Sequence, residues 1–102
     1  MKPDHYDREG KPISFECWIE LRHQPGYIRV AEDTVGDFWI STVWLGIDHG
    51  SPLEGTAPII FETMVFGANR ESEEMRRYST EEQALAGHRE MVEEVRLIES
   101  LA

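Results

Sequence analysis

The sequence predicts an α+β fold, in which a short helix precedes an antiparallel sheet of three to four strands and a long helix follows it. Two observations carry this prediction. The runs 38–45 and 59–66 are dense in aromatic and β-branched residues, which is typical of strands. The stretch after residue 79 repeats apolar residues at helical spacing behind a capping signal. A chain of 102 residues can build one hydrophobic core, so we expect a single domain, 1–102, in the order α-β-β-β-(β)-α.

The first helix is predicted from its start and stop signals. Ser14 follows a turn-forming segment and is a typical N-cap, because its hydroxyl can accept a hydrogen bond from the first free backbone amides. The Gln-Pro-Gly sequence at 24–26 ends the helical pattern. We therefore expect a helix from Phe15 to about His23. Cys17 lies among apolar residues of this helix, which favours a buried structural thiol.

Three strands, and a fourth with a weaker pattern, are expected between the helices. The first is short, at 27–31, and a segment at 32–37 turns the chain. The two strongest strands, 38–45 and 59–66, are separated by a loop rich in Gly and Pro. The last strand, at 74–78, has the most polar pattern, which is why the sheet is predicted with three to four strands.

The closing helix is predicted from Thr80 to about Ser100. Ser79 and Glu82 have the spacing of a capping box, in which each side chain bonds the backbone amide of the other residue. The helix has one apolar stripe and a charged outer face. The stripe consists of Ala84, His88, Met91, Val95 and Ile98. His88 is interpreted as a hydrogen-bonded residue at the edge of the core.

Both faces of the two central strands are largely apolar. An antiparallel sheet with one face in water would alternate polar and apolar residues, and 38–45 and 59–66 do not. Two helices can cover one face and part of the second. Any part left bare has to meet another subunit, a partner or a ligand. A self-association interface and complete coverage by the two helices are the two alternatives.

The charge is strongly acidic, with 20 Asp and Glu against 10 Lys and Arg and a formal net charge of -10. Such a surface disfavours direct binding to nucleic acid or to an anionic membrane and suits either solubility or a basic partner. No signal peptide and no run of ~18 apolar residues is present, which argues against a membrane span. The single cysteine excludes an internal disulfide and fits a cytoplasmic location.

No motif for catalysis, for a metal or for a cofactor is present. The four histidines are far apart in sequence, and the lone cysteine has no CxxC partner. The paired glutamates lie in stretches that are expected to be solvated. No catalytic residue, metal ligand or cofactor is therefore assigned.

The candidate ligand-binding residues are chosen because of their positions in the predicted strands and in the loop that follows a strand. Glu62 is the one charged residue in an apolar strand and needs a cationic partner, which the next strand can supply. Either Glu62 forms an ion pair between strands, or it lines a polar pocket with Trp44 and an arginine. Asp48 and His49 follow a strand end in a loop, where binding residues often collect. The candidates are Trp44, Asp48, His49, Glu62, Arg76, Arg77 and Tyr78.

Four stretches of the chain resemble a family of small phage, prophage and bacterial proteins without an established activity. These stretches are YDREGKPIS at 6–14, STVWLGIDH at 41–49, PIIFETMVF at 58–66 and RYSTEEQALAGH at 77–88. The loop 48–57 departs from the more Gly-rich segment expected in that family. The resemblance implies a small cytoplasmic accessory protein of phage origin, which would act in the host cell cytoplasm.

These observations favour a non-enzymatic accessory or anti-defence protein. It is expected to be a homo-oligomer that binds a host protein or a small nucleotide-like ligand. One alternative is an acidic decoy whose carboxylates imitate DNA phosphates toward a basic host protein. The other is a small nucleotide-processing hydrolase that uses Asp48 and His49.

Overall fold

The computed structural model describes residues 2–51, 53, 55–69 and 71–101, and it confirms the predicted α+β fold. A short helix comes first, four antiparallel strands form one sheet, and a long helix follows. The elements are α1 (Phe15–Arg22), α2 (Pro25–Ile28), β1 (Arg29–Val35), β2 (Phe38–Trp44), β3 (Phe61–Phe66), β4 (Ser72–Tyr78) and α3 (Glu81–Ser100).

The sheet is a meander in the order β1-β2-β3-β4, with every neighbouring pair antiparallel. Helix α3 lies across one face of the sheet and contacts all four strands. The register pairs Ile40 with Val65 and Thr42 with Thr63. Since alternate residues of a strand share a face, these side chains and Trp44 all point toward α3.

Two apolar clusters hold the helix on the sheet. One joins the first residues of the chain and α1 to the ends of the central strands, and the other lies under the second half of α3. The members of the first are Tyr6, Trp18, Trp44, Ile60, Phe61 and Ala84, and those of the second are Ile40, Val65, Met91, Val92 and Val95. Complete burial of each large apolar side chain contributes roughly 1.5–3 kcal/mol, so these clusters hold α3 against the sheet.

The start of the first strand differs from the prediction. The structure forms a single helical turn, Pro25–Ile28, where the sequence predicted the beginning of a strand at 27–31. Proline is favoured in the first turn of a helix because it has no amide hydrogen to leave unpaired there. Strand β1 then runs through to Val35, and Gly36, at φ 58°, turns the chain directly into β2. The predicted turn at 32–37 is therefore shorter than expected.

The predicted cap of the last helix is wrong by one residue. The N-cap is Thr80, whose hydroxyl accepts a hydrogen bond from the Gln83 amide at 3.1 Å. The Gln83 side chain in turn accepts from the amides of Thr80 and Ser79. Both Ser79–Glu82 and Thr80–Gln83 fit the capping-box pattern, and the path of the chain out of β4 selects the second.

The first helix follows its prediction closely. Ser14 is the N-cap and accepts a hydrogen bond from the Cys17 amide at 3.1 Å. Cys17 itself is half-buried, so its thiol is less enclosed than expected. None of the helices formed by the described residues has both the length and the apolar composition that crossing a membrane requires.

Candidate functional site

The face of the sheet opposite α3 is left uncovered by the described helices. Helix α1 packs against α2 and places Trp18 in the apolar cluster on the α3 side of the sheet, and α3 covers the rest of that side. We call this surface the open face. It consists of the side chains of Arg29, Glu32, Thr34, Trp39, Ser41, Val43, Glu62, Met64, Phe66, Met75 and Arg77.

Aromatic and thioether side chains form the apolar part of the open face. The rings of Trp39 and Phe66 stack with their centroids 5.2 Å apart and an interplanar angle of 27°. Met64 pairs across the strands with Met75, which is 45% exposed. Methionine adapts its shape to a surface placed against it, and stacked aromatic rings supply rigid contact area. These four side chains suit contact with another protein surface.

A small polar cluster holds Trp39 in place on the β1 side. Its indole nitrogen donates a hydrogen bond to Glu32 at 3.1 Å, and the Arg29 guanidinium lies over its ring, 5.5 Å from the centroid. Arg29 and Glu32 form an ion pair with each other. Because the ring is held by a cation–π contact and a hydrogen bond, it is already ordered before any partner arrives.

Glu62 and Arg77 form an ion pair between neighbouring strands on the open face. Arg77 Nε donates to Glu62 Oε2 at 3.0 Å, and the Glu62 side chain is only 12% exposed. The two residues are direct partners in the β3–β4 register. The ion pair anticipated for Glu62 is therefore present, and Arg77 rather than Arg76 supplies the cation.

The structure does not bring Trp44 and Arg76 to Glu62. Trp44 is buried under α3, where its indole nitrogen donates to the Tyr6 carbonyl oxygen at 3.0 Å. Arg76 also points toward α3 and donates to both carboxylate oxygens of Glu94 at 2.9 Å. The hydrogen bond to Glu94 raises the pKa of Arg76. The polar pocket considered for Glu62, Trp44 and an arginine is not formed, because strand alternation separates its members.

Tyr78 also lies on the α3 side. Its ring packs against Gly87 of the helix, and a Cβ added to that glycine would overlap the ring. Its hydroxyl is buried and has no hydrogen-bond partner among the described residues. Tyr78 thus acts as a packing residue between β4 and α3 and does not face the same surface as Arg77.

Asp48 anchors a loop. Its carboxylate lies 2.6 Å from Lys2 Nζ and accepts hydrogen bonds from the amides of Gly50 and Ile59, each at 2.8 Å. Burial by itself raises the pKa of Asp48, but the hydrogen bonds from Lys2 and the two amides outweigh it and hold that pKa below its usual value. His49 is exposed beside it. All the contacts of Asp48 are structural, and they leave it poorly placed to act as a base.

A series of hydrogen bonds runs through the core. The sequence predicted that His88 is hydrogen-bonded at the edge of the core, but it did not predict the partners. His88 Nε2 lies 2.7 Å from Asp33 Oδ2, and its Nδ1 lies 2.7 Å from the hydroxyl of Thr42. That hydroxyl lies 2.5 Å from the hydroxyl of Thr63. A carboxylate only accepts, so Nε2 carries the proton, and in a neutral ring Nδ1 accepts from Thr42. The order is then Thr63 to Thr42 to His88 to Asp33.

This series of hydrogen bonds resembles a catalytic triad in outline, but its position in the core gives it a structural role. The hydroxyls of Thr42 and Thr63 belong to side chains that are 0% exposed, so a substrate has no path to either oxygen. The four residues lie on β1, β2, β3 and α3, and no spacing in the sequence indicates that they meet. Only the sheet register and the rotation of α3 bring them together.

The described residues contain no group of three or more His, Cys, Asp or Glu arranged to hold a metal ion. The open face is the strongest candidate functional site, because accessible apolar side chains, ordered aromatic rings and ion pairs lie together on it. Comparison of the chain with known protein families, with curated proteins and with solved structures gave no match.

Proposed function

We propose that the protein is a non-enzymatic binding protein that assembles into a homodimer through the open face of its sheet. The single observation that carries this proposal is the apolar surface of Trp39, Phe66, Met64 and Met75, which none of the described helices covers. Met75 is 45% exposed and Trp39, Met64 and Phe66 are half-buried, and apolar side chains that stay accessible side by side are typical of interaction sites.

Local charge supports a second copy as the occupant. The whole chain carries a formal net charge of -10, so two copies repel each other over most of their surface. Within the open face, however, Arg29 and Arg77 balance Glu32 and Glu62. Two copies that meet here bring neutral surfaces together, while a strongly basic partner gains little from this face.

The dimensions of the face set the expected strength. Three strand spacings of ~4.8 Å and a six-residue strand at ~3.3 Å per residue give a surface of about 14 by 20 Å. The flat outline of this surface is about 280 Å², roughly a third of the ~800 Å² that a standard interface buries on each partner, so the contact is expected to be weak and transient. We therefore expect a dimer whose population depends on protein concentration.

The test uses Met75, which is exposed on the edge strand and can be changed without opening the core. In Met75→Glu, two like charges would be buried in the interface, so we expect a monomer at every concentration in sedimentation velocity. Leu97→Glu is the matched control, because Leu97 is 64% exposed and apolar but lies on α3. It should dimerise like the wild type. A wild-type protein that stays monomeric at high micromolar concentration would refute the proposal.

The dimer is compatible with the accessory or anti-defence role expected from the resemblance to phage proteins. In that role it would bind a host protein or a small nucleotide-like ligand. The acidic-decoy alternative is less well supported, because arginines interrupt the carboxylates of α3. Arg76 lies between Glu90 and Glu94, and Arg96 pairs with Glu93. The hydrolase alternative has little support, since Lys2 and two amides already occupy Asp48.

A further inference from the structure

We infer that Arg77 of one protomer pairs with Glu62 of the partner subunit, and that the reciprocal pair forms at the same time. These two contacts would set the register of the dimer and restrict the open face to copies of this chain. The inference rests on the proposed dimer and names the contacts that make it specific.

Arg77 has hydrogen-bond donors that the described residues do not use. A guanidinium has five N–H donors, and among the described residues Arg77 uses one, the Nε–H that bonds Glu62. Its side chain is 37% exposed, so water satisfies the remaining donors in the monomer. A surface that covers the open face removes this water. It has to supply acceptors in return, because each donor left unpaired after burial carries a desolvation penalty.

A second copy of the protein can supply an acceptor for these donors of Arg77. The open face has two carboxylates, Glu32 and Glu62. Each oxygen of Glu32 already accepts one hydrogen bond, from Trp39 and from Arg29, so Glu32 is the better satisfied of the two carboxylates. Glu62 uses Oε2 for Arg77, and its Oε1 has no hydrogen-bond partner among the described residues. A second copy therefore offers one unused carboxylate oxygen, and it lies next to the arginine that needs one.

Two-fold symmetry makes this match reciprocal. In a two-fold dimer, a contact from residue i to residue j is always accompanied by the contact from j to i. Glu62 and Arg77 are register partners on adjacent strands. A two-fold axis that runs along the strands between β3 and β4 therefore lays β3 of one copy over β4 of the other and places each guanidinium against the opposite carboxylate. The neighbouring pair Met64 and Met75 then meets its own copy and fills the space around the four charges.

The experiment exchanges the charges. The double variant E62R/R77E keeps the ion pair within each chain and restores both contacts when it pairs with itself. A mixed dimer with wild type instead places like charges together at both contacts. We expect each protein to dimerise alone. We also expect the mixed dimer, measured by native mass spectrometry after mixing and equilibration, to fall about tenfold or more below its statistical half share.

The outcomes separate the inference from the proposed dimer. If wild type is monomeric, the dimer itself is refuted. If wild type dimerises and mixed dimers form at the statistical share, the dimer stands and the reciprocal pairing is wrong. A folded double variant that cannot pair with itself also contradicts the pairing.

A single variant covers the case in which the double variant does not fold. Arg77→Gln changes a partly exposed residue on the edge strand and leaves the core untouched. It should raise the dissociation constant of the dimer about tenfold or more. An unchanged dissociation constant in a folded Arg77→Gln protein would overturn the inference.

Discussion

At the scale of single residues, the contact between Gly87 and Tyr78 shows how one missing side chain shapes the fold. Gly87 is buried in the middle of α3, where glycine is less favourable than alanine by about 1 kcal/mol. The structure uses the space, because the Tyr78 ring lies where a Cβ would be. Close approach of β4 to the helix thus depends on this glycine.

We predict that Gly87→Ala destabilises the protein by about 1–3 kcal/mol, although alanine is the better helix former. A Cβ at this position would lie well under 3.0 Å from the tyrosine ring, so the ring or the helix has to move. Gly26→Ala is the control, since a Cβ there meets no atom within 4 Å. Urea unfolding monitored by circular dichroism measures both. Equal stability of the two variants would show that the ring moves freely.

At the scale of elements, the hydrogen-bonded chain from Thr63 to Asp33 ties three strands to one helix. The apolar clusters on either side press α3 onto the sheet without direction, since apolar contact has no angular preference. The hydrogen bonds of Thr42 and His88 do have an angular preference. They set the rotation of α3 and its position along the strands.

We predict that Thr42→Val lowers the free energy of unfolding by about 1–3 kcal/mol. Valine fills the same volume but removes the hydroxyl that bridges Thr63 and His88, which leaves both buried groups without that partner. Thr34→Val, at an exposed position of β1, is the matched control. Because Thr34 lies on the open face beside Trp39, both variants are compared at a protein concentration that keeps them monomeric, and Thr34→Val should then change stability by less than about 0.5 kcal/mol. If both variants unfold at the same urea concentration, the bridging hydroxyl contributes nothing to stability.

The element scale also shows how the strand predictions succeeded and where they failed. The strong strands were recognised because aromatic and β-branched residues favour extended backbone in any context. The helical turn at Pro25–Ile28 was missed, because Tyr27 and Ile28 are themselves β formers and only packing against the sheet overrides that tendency. The Ser79 cap was wrong by one residue because two overlapping capping boxes differ only in the path of the incoming chain.

At the scale of the whole molecule, two ion pairs hold the first residues of the chain on the body of the protein. Lys2 joins Asp48, and Arg8 joins Glu81 at the start of α3 at 2.7 Å. The Arg8 hydrogen bond lowers the pKa of Glu81 despite the opposing effect of burial. Both carboxyl groups therefore have lowered pKa values and stabilise the fold when they are ionised.

We predict that acid weakens the wild type more than an Asp48→Asn variant. A carboxyl group with a lowered pKa in the folded state contributes stability above its unfolded pKa, which is ~3.9 for Asp. This stability is lost as the pH falls through the folded pKa. The melting temperatures of the two proteins should differ most at pH 7, and the difference should shrink as the pH falls below the unfolded value of ~3.9. A difference that stays constant down to pH 3 would contradict the role assigned to the Asp48 charge.

The residue pattern alone determined the order of elements and the presence of a second apolar sheet face. Both depend on residues that are close in sequence, through their preference for helix or strand and through the alternation of side chains along a strand. The residue pattern did not determine which alternating set of β2 residues shares a face of the sheet with which alternating set of β3 residues. That depends on register, and the pairing of Trp44 with Phe61 sends Trp44 into the core and leaves Glu62 on the open face. In the same way, alternation along β4 separates Arg76 from Arg77. Register and helix docking are long-range choices made by packing, so only the tertiary structure decided which candidate residues meet.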